Sequence, residues 1–271
     1  MTTRFVRRSN KMGVITASVA ITLSLFGLAG LTSSALNRTG HGQKDPAPVS
    51  YEEDGTSSVL AASTLEGTIQ EISYKQAYEG TTYEKEALVY VPASYTPGVP
   101  ANIVYLTHGW WGSADGLAEG VAPVVDQLTS NGSIAPTLVV FATYYPDRSF
   151  TTDDYEDDYA LNRFFATTEI DTLIKAVESR YTTFARGDTS DQSLRASRRH
   201  RAFGGFSMGA TTTWDVFTLR PQYFYGFMPM AGESWIGREE EADSPRIAEL
   251  VTAGVERAHY GPRDFLILAS V

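Results

Sequence analysis

The feature that most restricts how this chain can fold is Gly205-Phe206-Ser207-Met208-Gly209, a G-x-S-x-G pentapeptide inside Arg201-Ala202-Phe203-Gly204-Gly205-Phe206-Ser207-Met208-Gly209-Ala210. A short apolar run leads into it and a segment able to form a helix follows. In that setting a strand turns abruptly into a helix at the serine, and the flanking glycines remove Cβ atoms that would collide. The hydroxyl is then held out at the carboxyl end of a sheet, with the Met208 N–H at a helix N-terminus that favours negative charge. A bare pentapeptide also fits a Gly-rich turn with a buried or capping serine. The strand–turn–helix context favours the elbow.

Apolar runs alternate with helical patterns along the rest of the chain. Residues 67–74 and 87–91 read as a strand pair joined by the polar segment 75–86. Further strands are expected at 101–107, 137–143, 201–206, 227–230 and 265–271. Continuous apolar runs of this length suit central parallel strands covered on both faces. Helices are expected at 117–128, where Pro123 can delay the regular part, and at 166–181, where Ala166, Ile170, Leu173, Ile174 and Val177 share a face. Two more follow at 210–219 and 246–257. The alternation predicts an α/β fold with a mostly parallel sheet and crossover helices on both faces.

The N-terminus reads as something other than fold. Arg4, Arg7, Arg8 and Lys11 precede an uncharged apolar stretch at 12–31, and small residues follow at 32–35. That order marks an export signal over residues 1–35. An apolar run of roughly twenty residues also suffices for a membrane span, so a cleaved signal peptide and an uncleaved anchor both stay open. Residues 36–62 are polar and rich in Gly, Pro and Ser, and read as a flexible linker. Residues 63–271 then form one domain. The chain carries 22 basic and 32 acidic residues; four basic and no acidic ones lie in 1–35, so the remainder stands at 18 against 32, or −14. Such a surface argues against nucleic acid, and leaves the N-terminal segment as the only membrane contact. With no cysteine, disulfides and thiolate metal sites are excluded. The reading calls for no cofactor and no metal.

A serine nucleophile needs a base, an orienting acid and a site for the oxyanion. The oxyanion loop is expected at His108-Gly109-Trp110-Trp111-Gly112, just after the strand at 101–107. In sheet hydrolases one donor comes from an early loop and one from the residue after the nucleophile, which assigns the backbone N–H groups of Trp110 and Met208. His108 reads as a loop histidine rather than the base, because it precedes the serine.

Four blocks carry a family resemblance: Ile103-Val104-Tyr105-Leu106-Thr107-His108-Gly109, Val125-Asp126-Gln127-Leu128 ahead of Leu138-Val139-Val140, Phe203 to Ala210 around the serine, and Met228-Pro229-Met230-Ala231-Gly232-Glu233-Ser234-Trp235. In order and spacing they resemble the esterase D-type branch of the α/β-hydrolases, over roughly residues 65–271. That branch includes the feruloyl and acetylxylan esterases of carbohydrate esterase family one. The resemblance implies a secreted serine esterase acting on acylated carbohydrate or a small ester. Mycolyl-type acyltransferases share the branch, so acyl transfer is implied as well. The Trp110–Trp111 pair departs from the small residues that relatives more often carry. The two rings either wall an aromatic or sugar site or pack under the loop. Trp111, Tyr144, Tyr145 and Trp235 are the candidates for a substrate rim.

The resemblance also implies a catalytic acid and then a histidine after Ser207. The one later histidine, His259, stands ahead of a strand rather than after one. The expectation is therefore a chain incomplete at its C-terminus, without the acid, the histidine and the last strand and helix. Two alternatives stay open: a rearranged triad of His259 with Glu233 or Asp243, and a non-catalytic, carbohydrate-binding or wall-associated protein.

Overall fold

The computed structural model describes residues 65–270. The expected export signal at 1–35 and linker at 36–62 lie outside the described residues.

Thr68–Tyr78 (β1) and Thr81–Val91 (β2) form a long antiparallel hairpin. Its two-residue turn, Glu79-Gly80, has both residues at positive φ, 47° and 80°, the type I′ geometry that matches strand twist. The polar segment 75–86 is thus not a connecting loop but the outer half of both strands. Its residues alternate between solvent and interior, Lys75, Glu84 and Glu86 outward and Gln76 and Lys85 inward. A polar pattern of period two hid a strand whose buried positions are themselves polar.

Five more strands follow: Asn102–Thr107 (β3), Thr137–Ala142 (β4), Arg201–Phe206 (β5), Gly226–Met230 (β6) and Leu266–Ile267 (β7). The sheet order is β1-β2-β4-β3-β5-β6-β7. The pairings β1/β2 and β2/β4 are antiparallel and all others parallel. The last strand is shorter than expected; beyond it, Ser270 bridges to Met230.

Successive strand residues face opposite sides, and two apolar layers result. Val104, Leu106, Val139, Phe141 and Met228 pack against Ala114–Ser130 (α1). Ile103, Tyr105, Leu138, Val140 and Phe203 face the other way. They pack against Tyr159–Phe164 (α2), a π-helical turn at Phe165–Glu169, Ile170–Glu178 (α3), Met208–Leu219 (α5) and Ser244–Arg257 (α6). A short helix, Asp191–Ala196 (α4), precedes β5. Helix α1 starts ahead of Pro123 and runs through it, because the Ser113 hydroxyl caps it by accepting from Gly116 N–H. The helix expected at 166–181 begins earlier, at Tyr159, and passes through the π turn.

Two buried ion pairs brace the second layer. Arg201 forks onto Glu178 at 2.6 and 2.8 Å, and Glu178 also accepts from Tyr105 and Thr183. Lys85 meets Glu169 at 2.5 Å, and Tyr74 donates to the same carboxylate.

Candidate active site

Strand β5 delivers Ser207 at φ 55° and ψ −114°, a left-handed backbone that a side chain rarely adopts. The neighbours hold it there. Ser207 N–H donates to Met230 O at 2.9 Å across the end of β6. A Cβ on Gly205 would lie 2.4 Å from Gly209 O, and one on Gly209 would lie 2.3 Å from Thr107 O, so neither position accepts alanine without moving backbone. Ser207 O accepts from Ala210 N–H and Thr211 N–H. In a trans peptide the carbonyl and the next N–H point opposite ways. The Met208 N–H is therefore turned out of the helix end.

The His108–Gly112 loop lies against the serine: a Cβ on Gly109 would sit 3.2 Å from Ser207 Cβ. The Gly109 carbonyl accepts from Gly112 N–H at 2.9 Å and from His108 Nδ1 at 2.8 Å. By the same peptide geometry, fixing that carbonyl fixes the Trp110 N–H on the opposite side. Neither the Trp110 nor the Met208 N–H meets an acceptor among the described residues. Two free donors beside one serine can stabilise an oxyanion.

His108 belongs to this brace. Burial pushes its pKa down to about 4, so the ring is neutral at pH 7. A carbonyl only accepts, so Nδ1 carries the proton and Nε2 accepts from the Thr143 hydroxyl at 2.8 Å. Lys85 Nζ donates to Thr143 O at 2.9 Å, which ties this chain of contacts to the Glu169 pair. Replacing His108 with phenylalanine is expected to slow covalent modification of Ser207 by a fluorophosphonate about tenfold or more, a fraction of what one oxyanion donor supplies. His108→Asn, which keeps a donor near the Nδ1 position, should stay closer to wild type. Equal rates for the two variants would remove His108 from the brace.

Ser207 opens into a cavity of about 410 Å³ walled by Trp110, Tyr155, Met208, Thr211, Glu233 and Trp235. Across Trp110 lies an apolar slot of about 380 Å³, lined by Trp110, Trp111, Leu117, Val121 and Phe206. Of the expected rim, Trp235 walls the serine cavity and Trp111, 56% exposed, walls the slot. Tyr144 and Tyr145 do not form a rim. Both are buried and pack on the His108 ring, and Tyr145 donates to the buried Asp158 at 2.6 Å. They follow β4 so closely that they turn under the loop, not over it. Tyr155 and Thr211 were missed in the sequence, as was Asn162, whose amide donates to Met208 O and to Thr212, while Glu233, expected only as a partner for His259, walls the cavity instead. Of the three missed, only Tyr155 carries a signal in the sequence, as the aromatic in the acidic run at 153–158, Asp-Asp-Tyr-Glu-Asp-Asp.

Among the described residues no histidine bonds Ser207. Both His108 nitrogens are engaged, and His200 contacts Asn102 and stacks on Phe184. His259 is exposed just past α6, and Asp243 caps that helix through Arg246 N–H. The rearranged triad of His259 with Glu233 or Asp243 is not assembled: His259 lines no wall of the serine cavity.

No protein-family model matches the chain. A serine-to-alanine mutant of the feruloyl esterase module from Clostridium thermocellum, solved with sinapinate, is 29% identical with a TM-score of 0.59, covering 75% of this chain and 66% of that one. A solved protein designated FAE is 27% identical with a TM-score of 0.63, covering 87% of this chain and 75% of that one. The chain is an α/β-hydrolase of the feruloyl esterase type. This α/β-hydrolase is also 31% identical over 199 residues to endo-1,4-beta-xylanase Y of Acetivibrio thermocellus, a match to 72% of the chain. It spans 17% of that much longer relative.

Proposed function

We propose that the chain is the catalytic domain of an exported serine esterase that removes acyl groups, feruloyl or acetyl, from carbohydrate. The observation that supports it best is the left-handed Ser207 beside two free backbone donors. In this reading the Ser207 oxygen attacks the ester carbonyl carbon, and the oxyanion rests on the Trp110 and Met208 N–H groups. The sugar alcohol leaves with a proton, and water then releases the acid from the acyl-serine. The apolar slot across Trp110 suits the acyl group. The export pattern at 1–35 would carry such an enzyme to extracellular polymer.

Because no histidine among the described residues reaches Ser207, the 271-residue chain alone should show only the rate that oxyanion hole and binding supply, about 10³–10⁴-fold over water. The test is mass spectrometry after long exposure to a fluorophosphonate, alongside p-nitrophenyl acetate turnover. Slow labelling confined to Ser207 and lost in Ser207→Ala is expected, with turnover near background. Rapid turnover abolished by Ser207→Ala would overturn the weak-activity part; labelling unaffected by that substitution would overturn the nucleophile. That no histidine among the described residues bonds Ser207 favours a second reading, a carbohydrate-binding protein on the same fold, for which Ser207 would stay unlabelled.

A further inference from the structure

A third cavity, of about 530 Å³, continues from the serine cavity and shares Tyr155, Glu233 and Trp235 with it. We propose that this groove is a subsite for a neutral sugar chain, the alcohol side of the ester. The assignment of sides rests on the esterase reading; the binding itself does not.

An ester has two halves on either side of its carbonyl, and Ser207 has two unlike cavities flanking it. The slot across Trp110 offers Leu117, Val121 and Phe206, with little to pair with hydroxyls. The groove beyond Tyr155 offers Glu156, Glu233 and Glu241 as acceptors and Arg238 as a forked donor. Adjacent sugar hydroxyls both donate and accept, so carboxylates alternating with a guanidinium suit them.

Charge narrows the ligand further. Three carboxylates face a single guanidinium, and Arg238 is already paired with Glu156. The groove therefore repels phosphates and uronates and admits neutral sugars. Tyr155 supplies the apolar element. Its ring is 44% exposed and is backed by Trp110 and Trp235, with centroids at 5.9 and 5.6 Å. Arg238 covers the Trp235 ring at 4.2 Å, which leaves Tyr155 as the open platform for a sugar's C–H face. The acidic stretches at 153–158 and 239–243, which the catalytic reading leaves unused, each contribute one residue to the lining of this groove: Glu156 and Glu241.

The test is calorimetric titration of the full chain carrying Ser207→Ala with xylopentaose, and in parallel with a galacturonic acid pentamer. Binding of the neutral sugar is expected, weakened at least tenfold by Tyr155→Ala and severalfold by Arg238→Ala, with the anionic pentamer weaker still. Both substitutions are at well-exposed side chains, and circular dichroism checks the fold. Absence of xylopentaose binding, indifference to both substitutions, or preference for the anionic pentamer would each overturn the subsite. Fluorophosphonate labelling of the Ser207 protein separates the two proposals. A reactive serine without sugar binding removes the groove alone; sugar binding with an inert serine removes the esterase and leaves the groove.

Discussion

Replacing Glu178 with alanine is expected to lower the unfolding free energy by about 3–5 kcal/mol, the usual result of leaving one member of a buried pair alone. Glu178 and Arg201 are both essentially inaccessible. The guanidinium makes two bonds to the carboxylate and three more to Leu194 O, Tyr223 O and Ser197 Oγ. Alanine removes the charge that balances it, and leaves the Tyr105 and Thr183 hydroxyls without their acceptor. Urea denaturation measures the loss. The double variant Glu178→Leu with Arg201→Met should recover part of it, since no charge is then left buried alone, while the Tyr105 and Thr183 hydroxyls still lack their acceptor. A single-variant loss under about 1 kcal/mol, typical of an exposed pair, would show that this pair is wet.

Replacing Asp215 with asparagine is expected to stabilise the domain at pH 8 and leave it unchanged near pH 4. Asp215 sits inside α5, where Oδ1 accepts from Tyr159 OH at 3.1 Å and Oδ2 has no partner among the described residues. Burial, only partly offset by Arg163 and Tyr159, pushes its pKa from 3.8 up to about 7. The folded state therefore holds this proton more tightly than the unfolded chain. Its contribution is fully present below pH 3.8, declines as pH rises, and is lost above about pH 7. At about 1.4 kcal/mol per pH unit, the decline amounts to about 4 kcal/mol at most. Asparagine imitates the protonated carboxyl and removes that slope. Melting temperatures from pH 4 to 8 measure it; parallel curves for variant and wild type would show that Asp215 is ionised throughout.

What was legible in the sequence follows from where each segment is buried. β3, β4 and β5 are covered on both faces, so their side chains are apolar almost without a break. The hairpin was half hidden because inward positions such as Gln76 and Lys85 are polar, and Lys85 finds its partners, Thr143 and Glu169, far along the chain. The early start of α1 was written in Ser113, an N-cap signal that Pro123 overshadowed. The π turn at Phe165–Glu169 changes hydrogen-bond spacing, which leaves no mark on side-chain period. The serine and its loop were readable because each is a local motif. Tyr155 and Arg238 were not, since they come from the segments after β4 and β6, which meet only once the sheet brings those strand ends to one edge. Glu233 reads in the sequence only as a partner for His259. The rim role expected of Tyr144 and Tyr145 failed for the same reason: direction just past a strand is decided by what packs there, here His108.

The strained serine is a joint product of three strands. Its amide hangs on Met230 at the end of β6, and Gly209 is wedged against Thr107 and His108 at the end of β3. Gly232 presses on the Ser207 carbonyl from a third side. Nothing in the pentapeptide alone supplies those walls, so the same five residues grafted into another loop would relax to an ordinary turn. Poised chemistry and the central sheet are one cooperative unit: an intermediate that loosens β6 from β5 has a serine, but no longer a primed one.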